Sequence, residues 1–309
     1  MKKVTFISVA AIALATMAAV ASCSDNDSLR PETSRTPVRF TGGIGTQPSA
    51  PDTRAAGATW SSGDAIGIFM LSHDTDAIID DADNKQFVTS GNGHFSRALG
   101  NDIYYPVSGS LVDFIAYYPY RPDATLTGSF AVNTADQSRQ TDFDLLWVKA
   151  NRSGKGYNKE ILGDVPLAFN HRLARIVLNC KADANTGFTD LKGLTVTLRG
   201  MNTCISYSLA DGTAGTPSTV ADISARPITA ADGYMASFDA IIVPAAYAAG
   251  QVTIEFRKDG CPFTWEVGNI RLEAGSSYVY EVILSLVEVQ VQGTIIPWDT
   301  KAEETVKAS

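Results

Sequence analysis

Short apolar or alternating runs recur every ten to twenty positions from Trp60 onward, and no stretch sustains the 3.6-residue apolar period of a packed helix. That rhythm restricts the chain to β-structure, because a helical layer needs an apolar stripe at i, i+3, i+4 and i+7. The runs are "AIGIFML" (65–71), "LVDFIAYYP" (111–119), "LLWVKA" (145–150) and "VPLAFNH" (165–171), followed by "LARIVLNCKA" (173–182). They continue through "LTVTLRG" (194–200), "SYSLADG" (206–212), "YMASFDAIIVP" (234–244), "QVTIEFRKDG" (251–260), "FTWEV" (263–267) and "SYVYEVILSL" (277–286). Turn residues bound each run, and Asp259-Gly260 predicts a tight hairpin between two of them. Many short strands at regular spacing point to antiparallel sandwiches rather than an α/β fold. A chain of 309 residues has room for two cores. A boundary at 155–165, after "NRSGKGYNKEILGD", gives an N-terminal β-sandwich over 55–163 and a C-terminal one over 164–309.

The last strand is unusual. In "VEVQVQGTIIPW" (287–298), Val287, Val289 and Val291 fall on one face and Glu288, Gln290 and Gln292 on the other. Gly293 allows a bend or bulge before Ile295, Ile296 and Trp298.

The opposite end reads as an address. Met1-Lys2-Lys3 is basic, residues 4–21 carry no charge, and "VASC" sets small residues before Cys23. This is the layout of a bacterial signal peptide, 1–22, whose removal leaves Cys23 first for lipid attachment. A plain signal peptide and an uncleaved anchor are the alternatives, but the run is short for a span and ends at cysteine. Acyl chains contribute about 0.8 kcal/mol per buried CH₂, enough for two or three of them to hold the chain to an outer membrane. Residues 24–37 read as a polar tether with Pro31 and Pro37. "VRFTG" (38–42) is a short strand, and "GIGTQPSAPDTRAAGA" has loop composition around Arg54 and Ala55.

Catalytic and cofactor signatures are missing. His73, His94 and His171 have no sequence partner at metal-ligand spacing, and "RSGKGYN" (152–158) lacks P-loop spacing. No GxSxG or GxGxxG occurs, so no cofactor is expected and the chain reads as a non-enzyme. "DDADN" (80–84) lacks the glycine and distant glutamate of a calcium loop and reads as solvated. Tyr117, Tyr118 and Tyr120 are open to two readings, a sugar-stacking platform or strand core with a corner. Cys180, Cys204 and Cys261 include no CxxC, and buried strand thiols are expected over a disulfide with one left over. A net charge of −8 without a basic block argues against nucleic-acid partners.

Taken in order, "VASC", "VRFTG", "DTRA" before "W..GDAIGIFM", "DFIAYYPY", "DLLWVKA", "VPLAFNHRLARIVLN" and "TIIPW" resemble the fimbrillins, subunits of type V pili of Bacteroidetes. "SDND" directly after Cys23 resembles the surface-export signal of lipoproteins from the same bacteria. The resemblance implies two transthyretin-like antiparallel β-sandwich domains in tandem. It implies export as a lipoprotein to the cell surface and cutting by an arginine-specific surface protease, here after Arg54. That cut would free residues 23–54 with the first strand. A neighbouring pilin subunit would fill the groove with its terminal strand, carrying Val287, Val289, Val291, Ile295, Ile296 and Trp298.

Physical chemistry supports such an exchange. A sandwich stripped of a strand exposes unpaired backbone and an apolar slot. At roughly 1.5–3 kcal/mol per side chain the donor would bury on the order of 10 kcal/mol before association costs. Cutting at Arg35, before the strand, would open no groove. The plain alternatives are that Arg54 is a loop residue and 287–298 an ordinary last strand. The chain would then be a pilus tip or stand-alone surface lipoprotein binding a glycan or a host or bacterial protein.

Overall fold

The computed structural model describes residues 35–45, 59–183, 188–285 and 289–298. From Arg35 on they form one compact unit, all β apart from a 3-10 turn at Gln140–Asp142. Among the described residues no helix is long and apolar enough to cross a membrane.

The N-terminal part is a ring. Its strands are β1 (Phe40–Ile44), β2 (Ala65–Ser72), β3 (Lys85–Thr89), β4 (His94–Arg97) and β5 (Val112–Tyr118). After β6 (Ser129–Asn133) follow β7 (Leu146–Ala150) and β8 (Val165–His171). The sheet runs β1-β4-β3-β2-β5-β7-β8 and closes on itself, with β6 outside it. An antiparallel sandwich was the expectation. Instead β1 lies parallel to β8 and antiparallel to β4, and so joins the two ends of a curled sheet into a barrel. Closure leaves no free edge in this part of the molecule.

The C-terminal part is built of two facing sheets. Its strands are β9 (Ala174–Ala182), β10 (Thr195–Ser208), β11 (Ser218–Ser224), β12 (Arg226–Ile228), β13 (Ala236–Ile242) and β14 (Ala245–Tyr247). They continue as β15 (Thr253–Lys258), β16 (Cys261–Glu266), β17 (Ile270–Leu272), β18 (Ser276–Leu284) and β19 (Val289–Pro297). One sheet is β11-β10-β15-β16 with β6 also on β10, the other is β12-β13-β9-β18-β19, and β14 pairs with β17. The β9–β18 pair is parallel, against the all-antiparallel expectation.

Three apolar clusters explain the patterning. Phe40, Phe87, Phe95, Phe114 and Phe169 fill the barrel, and Leu178, Leu198, Ile254, Phe256 and Tyr278 fill the sandwich. A third cluster, with Phe69, Ile115, Tyr117, Phe130, Ile205, Ile241 and Trp298, welds barrel to sandwich. β2 and β5 therefore read as continuous apolar runs: alternate side chains point into the barrel and into the weld, so both faces are covered.

Local signals hold up at several points. Asp259 and Gly260 both take positive φ, 50° and 85°, as a type I′ hairpin between β15 and β16 requires. Tyr117 and Tyr118 are core residues, fixed through their hydroxyls to Asn84 and Asp64. The three thiols are free and lie in strands, but only Cys180 is buried; Cys204 is half-covered and Cys261 exposed. Burial pushes the Cys180 thiol up to about 12, so it is inert at neutral pH.

Candidate functional site

The barrel closes on β1, and its residues alternate accordingly. Val38 and Phe40 are buried, and Ile44 packs on the barrel core. The Phe40 ring stands edge-on to Phe87 and Phe114, each 5.1 Å away between centroids. Gly42 occupies the inward position between Phe40 and Ile44. A Cβ there would lie 2.7 Å from a Phe95 ring carbon and 3.1 Å from one of Phe169, so any larger residue would push the Phe95 ring aside.

Backbone bonds stitch β1 to both neighbours. Val38 N–H donates to Ile103 (2.9 Å), Gly42 N–H to Gly93 (2.7 Å) and Gly45 N–H to Phe169 (2.8 Å), while Arg39 accepts from Val165 (2.8 Å). Trp60 adds a clamp. Its indole N–H donates to the Gly42 carbonyl at 2.8 Å, and its ring meets Phe95, Phe169 and Tyr118 at 5.1, 5.3 and 5.6 Å. In sequence, 45–59 separates β1 from Trp60 and holds Arg54 and Ala55. Those two residues, Cys23 and Val287 lie outside the described residues.

The second half of the site is β19. All nine residues pair antiparallel with β18, from Ser276↔Pro297 to Leu284↔Val289, in unbroken register. The bulge expected at Gly293 is not formed. Instead Gly293 lies flat under the Tyr280 ring, where a Cβ would come within 2.5 Å. β19 is an edge strand. Val289, Val291 and Ile296 are half-covered and Ile295 is 65% exposed.

Trp298 is the exception. It is buried, its ring stacks on His171 at 3.8 Å and 4°, and its backbone N–H reaches Gly275 O at 2.9 Å. The indole Nε1 is buried without a hydrogen-bond partner. Around it lies a pocket of about 300 Å³ bordered by Trp60, Tyr118, His171 and Asp239. Asp239 is buried there but compensated, by Arg175 at 2.6 Å and Arg226 at 3.0 Å. Sequence reading grouped Trp298 with the residues of a donor strand. It did not foresee the stacking, because nothing local links positions 171 and 298.

It also missed a polar cluster. His73 bonds Asp113 at 2.9 Å and approaches Asp74 at 3.3 Å, although Asp113 is forty positions away. The buried Asp113 carboxylate, first through this hydrogen bond, holds the His73 pKa above its usual value.

A sequence model of a known family, described as fimbrillin-like, matches residues 53–298. The chain belongs to the fimbrillin-like family. This fimbrillin-like chain is 33% identical over 259 residues to a Bacteroides uniformis protein described as a candidate fimbrium subunit, Fim1C, covering 80% of this chain and 81% of the relative. A crystal structure of a candidate cell adhesion protein from Bacteroides uniformis superposes with a TM-score of 0.70 at 30% identity, over 85% of this chain and 99% of that one. One from Bacteroides ovatus shares the fold, with a TM-score of 0.69 at 23% identity, over 87% and 99%. Fimbrillins are structural, non-enzymatic proteins.

Proposed function

We propose that this chain is a structural subunit of a cell-surface fimbrium that polymerises by exchanging strands. It is exported as a lipoprotein on Cys23 and cut after Arg54 by an arginine-specific surface protease, and β1 leaves with the released segment. The terminal strand of another pilin subunit then takes its place. In this reading the barrel and the sandwich are the two transthyretin-like domains in tandem, with their junction after His171 rather than at 163.

The observation that carries the reading is the position of β1. It is the strand that closes the ring, and the arginine loop follows it directly in sequence. Its loss would leave facing edges on β4 and β8 and a slot floored by Phe87, Phe95, Phe114 and Phe169, which only another strand satisfies fully. The test is assembly in cells. Arg54→Ala, and separately deletion of 287–309, are expected to replace fibre ladders with monomer. Intact ladders in either variant would overturn the proposal.

One observation favours a second reading. β19 pairs in cis along its whole length and ends on a seated Trp298, which suits a tail that is not donated. The chain would then be a tip subunit or stand-alone surface lipoprotein binding a glycan or protein. Deleting 287–309 separates the two, because a tip without its tail still joins a fibre.

A further inference from the structure

Residues 38–44 and 289–295 carry the same spacing of apolar residues and glycine. We propose that an incoming β19 runs in the direction of β1, with Val289 at the place of Val38, Val291 at Phe40, Gly293 at Gly42 and Ile295 at Ile44, and that Gly293 sets this register. The inference rests on strand donation as proposed above.

The vacated slot imposes three conditions. Val38 and Phe40 are buried with Arg39 exposed between them, and a strand's side chains alternate, so apolar residues should fall at every second place. The place under Phe95 and Phe169 favours glycine, because a Cβ there would force the Phe95 ring to shift. The carbonyls of Ile103, Gly93 and Phe169 require N–H donors at the places of Val38, Gly42 and Gly45. "VRFTGGI" (38–44) meets these conditions, and "VQVQGTI" (289–295) meets them in the same order, with Val289, Gly293 and Ile296 supplying the donors.

Other alignments fail on the same features. A slip of one residue turns Gln290 and Gln292 into the core. A slip of two drives Val291 or Ile295 into the Phe95 ring. Reversing the strand about Gly293 puts Pro297, which has no N–H, opposite the Ile103 carbonyl. The one imperfect position is Val291, smaller than the Phe40 it replaces between Phe87 and Phe114.

Gly293 is also needed at home, under Tyr280, so replacing it does not isolate the register. Cross-linking does. In β1, Gly43 stands opposite Ala168. In the proposed register Thr294 of one subunit faces Ala168 of the next, whereas the reversed strand puts Gln292 there. In cis these residues face Val279 and Glu281 instead. The full chain, with Cys204 and Cys261 changed to serine, would carry Ala168→Cys with either Thr294→Cys or Gln292→Cys, and its fibres would be oxidised and run without reductant. A strand position two residues off separates the Cα atoms beyond about 7 Å, so the Thr294 pair is expected to give roughly tenfold more covalent multimer than the Gln292 pair. Fibres in which the Gln292 pair dominates, or neither links, overturn the register and leave strand donation standing. Failure of the unsubstituted chain to form fibres at all overturns both. As an independent readout, Val291→Phe is expected to make fibres dissociate more slowly on heating, and faster dissociation would contradict the assignment.

Discussion

At the scale of single residues, Gly42 shows how a missing side chain can be structural. Its neighbour Gly43 has open space where a Cβ would be, so the two glycines differ only in what faces them. Gly42→Val is expected to destabilise the uncut chain by about 1–3 kcal/mol through overpacking, and Gly43→Val by less than about 0.5 kcal/mol. Urea unfolding of both variants checks this, and equal losses would contradict it. Trp298 poses the opposite case, a large buried ring with an unpartnered N–H. Trp298→Ala should cost about 3–5 kcal/mol, whereas Trp298→Phe should cost under about 1.5 kcal/mol because it removes the orphan donor along with some volume. Thermal unfolding of the pair separates packing from hydrogen bonding.

His73 gives a pH signature. Its folded pKa is raised above the ordinary 6.5 by Asp113. The stabilisation from that pair is therefore complete below the unfolded pKa and is lost as pH rises through the folded value. The stability difference between the wild type and His73→Gln is expected to be larger at pH 5.5 than at pH 8.5. A histidine titration by NMR should place His73 above 6.5, and a value at or below it would contradict the assignment.

At the scale of elements, legibility followed burial. β8 was read residue for residue because Val165, Leu167, Phe169 and His171 alternate cleanly between core and surface. β9 and the β15–β16 hairpin were read for the same reason, helped by Asp259-Gly260. β3, β4, β6, β11, β12, β14 and β17 went unread. Several are three to five residues long, and β11 is mostly exposed, so neither length nor alternation marks them. β10 appeared as two strands because Gly200, at φ 83°, and a register shift between Leu198 and Met201 interrupt one continuous strand of fourteen residues. The parallel pairs β1–β8 and β9–β18 join positions about a hundred or more residues apart, and no local pattern encodes such a partner. The site divides likewise: the composition of β1 and β19 was visible, but the cis seat of Trp298 was not.

At the scale of the whole molecule, a closed ring has a closing strand followed in sequence by an arginine-bearing segment, and a peripheral strand repeats the apolar and glycine spacing of that closing strand. Closure hides the edges of β4 and β8 from premature pairing until the chain is cut. Afterwards the slot and the tail are complementary between copies, a heterologous contact that propagates as a fibre rather than closing as a dimer. The most direct test is the N-terminus and intact mass of the chain recovered from surface fibres. The account predicts a polypeptide beginning at Ala55. A chain in those fibres that still begins at acylated Cys23 would retain β1, leave the ring shut and contradict strand exchange into it.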